Sequence, residues 1–275
     1  MVFGIHKLHL KVDEHKLYSE DANKEVFVLY RHSAGDLRRI LIKNSKLRDN
    51  ALSRRQQKAL AAFKKSELFD FRKDTEHSRK EVIEAYFHLF DDLFFFGSLR
   101  RRVELRIRHR KLRGPLCTLG ITSGREIEDR IRGMFKGDNV KKAVEIKIYL
   151  EEEEHRSRKE ALVEYRATLL HEMIHAFLLC WACDYEECTA AWDGHGHGAI
   201  WQDIACALEH ATRERGFLHL ELRLGREISL AIEVHQTGSW PRKSDFARWN
   251  IAERDFLKRY KYVENIEGPP QWRKS

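Results

Sequence analysis

The run from Ser157 to Trp181 constrains the fold of this chain most, because it is apolar at helical spacing yet carries His171, Glu172 and His175 in its middle. Ser157-Arg158-Lys159-Glu160 fits a capping box, in which a serine hydroxyl and a glutamate cover the exposed amides at a helix start. Val163, Ala167, Leu170, Ile174, Phe177 and Trp181 then lie along one apolar face. Two imidazoles and a carboxylate buried among Leu169, Leu170, Ile174 and Phe177 cost several kcal/mol unless they are satisfied. The same three groups argue against a membrane span.

Other elements read around this helix. Ser78-Arg79-Lys80-Glu81 is a second capping box, followed by Val82, Ile83, Tyr86, Phe87, Phe90 and Phe94 at helical spacing and by Gly97. Val103, Leu105 and Ile107 alternate with Glu104, Arg106, Arg108 and Arg110 as in a half-buried strand. Leu116–Thr122 reads as a second strand and Val144–Leu150 as a third, with a polar, basic loop over 125–142. A further helix starts near Gly198, with Trp201, Ile204, Ala205 and Leu208 inward. Strand and helix are not separable over Leu218–His235. Helix, strands, helix and helix make an α+β core. The expected organisation is an N-terminal charged extension over 1–76, a core domain over 77–235, and a basic aromatic tail over 236–275.

His171-Glu172-Met173-Ile174-His175 is HExxH. Imidazoles four residues apart share a helix face, with Cβ atoms ~5–6 Å apart, and can bind one Zn²⁺. Glu172 is then placed to take a proton from a zinc-activated water attacking a carbonyl, a catalytic rather than a ligating role. Chance gives ~0.08 such matches in a chain this rich in histidine, so the motif needs its helical context. The plain alternative is a pair of hydrogen-bonded core histidines. A catalytic zinc needs a third protein ligand. The extended HExxHxxGxxH pattern is absent, since Leu178 and Trp181 stand at its later positions. In Asp193-Gly194-His195-Gly196-His197-Gly198, His197 stands at a helix entry between glycines that allow close backbone approach. Glu186, Glu187 and Glu209 are weaker alternatives, and His195 reads as an exposed loop residue.

These residues resemble the SprT-like metalloprotease family. Leu169–Phe177, Gly196–Trp201, Phe94–Leu99 before the first strand and Leu116–Ile121 carry the likeness in order, over about 85–210. The resemblance implies a zincin-like SprT core, a small sheet of three or more strands packed on helices that include the HExxH helix. It implies a zinc-dependent endopeptidase acting on proteins crosslinked to DNA and activated by DNA, with His171, His175 and His197 as zinc ligands and Glu172 catalytic. Protein substrates and single-stranded or distorted DNA are the implied partners, and the nucleus the implied location. The linker from His175 to His197 is longer than usual, and no paired-CxxC zinc ribbon follows the core.

The chain has 51 Lys and Arg against 43 Asp and Glu, a net charge of +8 that fits an acidic partner such as nucleic acid or simple solubility. Met1–Lys16 has no apolar signal region, and five cysteines are too few, and odd in number, for a disulfide scaffold, so an intracellular protein with mostly reduced thiols is expected. Arg106, Arg108 and Arg110 are candidate phosphate contacts and Trp249 a candidate base-stacking residue, against the plainer readings of a solvated sheet face and a docked amphipathic helix. Cys180, Cys183 and Cys188 could join His195 in a Cys₃His zinc site or form a disulfide, although free thiols around a helix end are the simpler reading. Two other functions compete: a DNA-binding or scaffold protein without proteolysis, and a metallopeptidase without a nucleic-acid role.

Overall fold

The computed structural model describes residues 9–18, 26–69, 77–110, 118–124, 143–151, 157–185, 188, 196–270 and 272. The loop expected over 125–142 lies outside these residues, as do Leu116 and Cys117.

Near the chain start, α1 (Glu14–Leu17) is one short turn. Capping serines then open four longer helices. Ser33 accepts from the Asp36 amide ahead of α2 (Ala34–Ser45). Full capping boxes, Ser53 with Gln56, Ser78 with Glu81 and Ser157 with Glu160, open α3 (Arg54–Lys65), α4 (Arg79–Phe94) and α5 (Arg158–Trp181). The last of these is the HExxH helix, with both ends where the sequence puts them.

Three strands form one mixed sheet in the order β1-β3-β2: β1 (Val103–Arg110), β2 (Gly120–Gly124) and β3 (Val144–Glu151). β1 runs parallel to the central β3 with Val103 opposite Val144, and β2 runs antiparallel with Gly120 opposite Ile148. Central β3 alternates cleanly, burying Val144, Ile146, Ile148 and Leu150. β1 lies at the sheet edge, so Leu105 and Ile107 are only partly covered. The second strand is placed later than its sequence pattern indicates: Thr118 and Leu119 precede it, and Ser123 and Gly124 belong to it.

After α5 come α6 (Ala199–Arg213), α7 (Arg226–Thr237), α8 (Lys243–Trp249) and α9 (Glu253–Glu267). The ambiguous stretch resolves into two halves. Residues 218–225 are irregular, and Gly225 turns the chain at φ 69° into α7. That left-handed conformation favours glycine, which explains a helix start without a polar cap.

The packing redraws the expected divisions. Leu37, Ile40 and Leu41 of α2 are fully buried in the same core as Phe90, Ile148 and Leu170. Of the segment read as an N-terminal charged extension, the described residues 26–69 pack into the same core: their few apolar side chains are spaced to face α4 and α6, while most of their charges face out. Part of the tail is likewise folded. Leu230, Val234, Phe246, Trp249, Phe256 and Tyr260 form a second apolar cluster that ties α7, α8 and α9 together. Among the described residues no helix is long and apolar enough to cross a membrane.

Candidate metal centre

His171 and His175 project from α5 toward the loop that enters α6, and His197 comes from that loop. Their Nε2 atoms form a tight triangle: 3.2 Å between His171 and His175, 3.0 Å from His197 to each. Tetrahedral zinc, with Zn–N bonds of ~2.0–2.1 Å, needs nitrogens about 3.3 Å apart. The triangle is therefore close to the size that zinc requires. Its chemistry fits as well. His171 Nδ1 lies 2.9 Å from the Leu224 carbonyl, which can only accept, so that nitrogen carries the proton and Nε2 turns a lone pair inward. Burial, reinforced by the neighbouring His197 and His171, holds His175 well below the usual histidine pKa, which favours the neutral form that binds metal. Three imidazole nitrogens aimed at one point can hold a cation, whereas core histidines satisfied by hydrogen bonds would point at separate partners.

The surroundings hold the rings in place. Trp201, at the start of α6, packs against all three, stacked on His175 with centroids 5.6 Å apart and 4.5 Å from His171. Gly196, at φ 88°, brings the backbone so close that a Cβ there would lie 3.3 Å from the His175 ring. His197 is fixed through its main chain: its amide donates to Glu233 of α7 at 3.2 Å, and its carbonyl accepts from Gln202 of α6 at 3.3 Å. Glu209 lies outside the triangle. Its carboxylate accepts from the Leu224 amide and the Arg226 guanidinium, both at 2.7 Å, and so holds the turn whose Leu224 carbonyl orients His171.

Glu172 is 6% exposed and lies on the sheet side of α5. Thr122 of β2 donates its hydroxyl to Glu172 Oε2 at 2.6 Å. Burial pushes the Glu172 carboxyl above the usual carboxylate range, while His171 and the Thr122 hydrogen bond pull the other way. Gly120 leaves the space this needs, because a Cβ there would sit 2.8 Å from Glu172 Cγ and 2.6 Å from Thr168 Cγ2. Sequence reading missed Thr122, Glu233 and Gln202 in these roles. A hydroxyl on a short strand and two polar residues on other helices carry no local signature.

The expected nucleic-acid residues fall in two places, three arginines at alternate positions of β1 and Trp249 at the end of α8. Arg106 is paired with Glu104 at 2.9 Å and Glu145 at 2.8 Å, so its charge is largely answered within the sheet. Arg108 is exposed, and Arg110 is exposed with its guanidinium over the Tyr149 ring. Trp249 does not fit a stacking role. It is 2% exposed, and its indole N–H donates to Asp203 at 2.7 Å, so the ring belongs to the core between α6 and α8. His195, Glu186 and Glu187 lie outside the described residues. Cys180 is buried in the core, apart from the described groups of metal-ligating side chains.

Compared with known proteins, residues 83–219 match the model of the SprT-like family. No curated protein and no solved structure matches.

Proposed function

Because residues 83–219 form a SprT-like domain, of the metallopeptidase type, we propose that this chain is a zinc-dependent endopeptidase that cleaves proteins bound or crosslinked to DNA. The observation that carries the peptidase reading is the convergence of three Nε2 atoms within 3.2 Å, with a buried carboxylate on the residue next to one of them. Zinc in that triangle would supply Lewis acidity for the scissile carbonyl and acidify the attacking water. The chain's own groups do the rest. Glu172 takes the proton from the water and returns it to the leaving amine. Thr122 holds the carboxylate on the sheet side, and Trp201 shields the histidines.

Support for the DNA-linked substrate is the family resemblance, the +8 charge and the exposed Arg108 and Arg110. The internal pairing of Arg106 and the burial of Trp249 favour the second reading, a metallopeptidase without a nucleic-acid role.

One experiment separates these. A basic DNA-binding protein is offered as substrate with and without single-stranded DNA, to wild type and to Glu172→Gln, with zinc content measured on both. Cleavage that needs DNA and vanishes in Glu172→Gln while zinc remains is the expected result. Cleavage indifferent to DNA selects the second reading, and retained cleavage in Glu172→Gln removes the assigned role of that residue.

A further inference from the structure

A second group of ligating side chains lies at the far end of the HExxH helix. His9, Cys183 and Cys188 bring one donor atom each to within 4.8 Å of one another, and His9 Nε2 lies 3.2 Å from Cys188 Sγ. Three chain segments meet there, and backbone hydrogen bonds lace them together. The Leu10 amide donates to the Arg31 carbonyl at 2.8 Å, the His32 amide to Trp181 at 3.0 Å, and the Cys183 amide to His32 at 2.8 Å. His32, itself buried, adds a side-chain tie: Nδ1 donates to the Leu10 carbonyl at 2.7 Å, while Nε2 accepts from the Val28 amide at 2.9 Å. Cys188 is folded back toward Cys183 by a turn in which its amide donates to Tyr185 at 2.9 Å. None of Cys180, Cys183, Cys188 and Cys206 is in a disulfide.

We propose that His9, Cys183 and Cys188 form a second, structural zinc site that pins the linker between α5 and His197. Two thiolates and an imidazole are a donor set that zinc favours, and a Cys-x₄-Cys spacing falls within the range of structural zinc sites. Binding converts both thiols to thiolates and releases their two protons to solvent. Three protein donors leave the fourth position to water or a further ligand. The consequence lies downstream. The linker leaves α5 at Trp181, passes both cysteines, and reaches Gly196 and His197. Fixing Cys188 leaves only residues 189–195 between a held point and the glycine that brings His197 to the histidine triangle. The site does not depend on the chain being a peptidase, and its test is separable from that reading.

The test uses the full chain purified under reducing conditions. Zinc content is measured by mass spectrometry, and cobalt(II) replaces zinc for absorption spectra. Wild type is expected to hold two equivalents of zinc. Its cobalt form should show the near-ultraviolet charge-transfer band of cobalt–thiolate bonds, which a three-histidine site cannot give. The double variant Cys183→Ser/Cys188→Ser should hold one equivalent and lose the band. His197→Ala should also hold one equivalent but keep the band. His9→Gln, a milder change should the double variant fail to fold, should weaken cobalt binding at the thiolate site at least tenfold. A wild type with one equivalent, no charge-transfer band and complete zinc loss in His197→Ala would overturn the second site and leave the catalytic one standing. A Cys183–Cys188 disulfide formed on air exposure, in a protein whose thiols take up no cobalt when reduced, would overturn it too. A band that persists while His197→Ala releases no zinc supports the second site and counts against the first.

Discussion

Thr122 Oγ1 lies 2.6 Å from Glu172 Oε2 and 3.0 Å from the Glu172 carbonyl oxygen, so one hydroxyl on a sheet edge faces both the backbone and the carboxylate of the HExxH glutamate. This contact joins β2 to α5 at the one residue whose orientation the proposed chemistry needs. Thr122→Val keeps the shape and removes the hydroxyl. Its expected effect is roughly a tenfold loss of kcat, the equivalent of a hydrogen bond worth ~1–1.5 kcal/mol, with zinc content unchanged. Thr122→Ser should restore most of the rate, which a purely structural role for the threonine would not require. Steady-state proteolysis with metal analysis checks this.

Gly120 faces the same carboxylate from one turn of the pleat away. Gly120→Ala places a methyl 2.8 Å from Glu172 Cγ and 2.9 Å from Oε1, which the glutamate can relieve only by leaving its position. Overpacking of this kind costs ~1–3 kcal/mol of stability. Proteolysis should fall by more than the loss of folded protein accounts for, as read by urea unfolding and active-site titration on the same sample.

Glu233 supports the metal triangle through the His197 amide, which donates to its carboxylate. Glu233→Ala should therefore weaken zinc binding ~10–100-fold, as loss of a group behind a ligand does elsewhere. Competition with a chromophoric chelator measures it. An unchanged affinity would show that His197 is held without Glu233.

Trp249 separates core from nucleic-acid contact. Trp249→Ala empties a buried volume and takes one donor from Asp203, which keeps Arg38 and Arg248, so a loss of ~3–5 kcal/mol, mostly from the cavity, is expected. The salt dependence of any DNA binding should not change, since the ring does not face solvent. Arg108→Ala with Arg110→Ala should instead flatten that salt dependence while leaving stability within ~0.5 kcal/mol.

Asp91 gives a pH signature away from the site. It is fully buried and accepts from the Leu99 amide, and from the amide and guanidinium of Arg100. Burial nevertheless dominates and raises its pKa from 3.8 to about 6. The folded state then holds this proton more tightly than the unfolded chain. The carboxyl's contribution to stability is full below about pH 4 and is lost as pH rises to about 6. Urea midpoints of wild type and Asp91→Asn should diverge on that account by up to ~3 kcal/mol across this window, wild type losing ground as pH rises.

The long helix, its capping box and the inward HExxH residues were legible because each depends on neighbours within a few turns. The Ser157–Glu160 box and the apolar spacing from Val163 to Trp181 fix where α5 starts and which face it buries. β3 was legible for the same reason, being central and covered on its core face. β2 was misplaced because a short edge strand borrows its register from β3. Leu37, Ile40, Leu41 and the run Gln56–Phe63 suggest short helices, as α2 and α3 are, but their place in the core was hidden because a few apolar residues among many charges form a core face only once α4 and α6 are beside them. Trp249 looked like a stacking residue because aromatic and basic residues alternate around it, and burial is not written in that alternation.

By itself, the sequence determined that one turn of a buried helix would carry two imidazoles and a carboxylate, since helical spacing is a local property of the chain. Tertiary structure alone decided what faces them. His197, a candidate the sequence named without its geometry, closes the triangle from across a linker, Leu224 sets a tautomer, Thr122 aims the carboxylate, and His9 meets two cysteines far along the chain. Such contacts are set by how elements pack, and packing is decided by shape and solvent exclusion over the whole core rather than by any nearby run of residues.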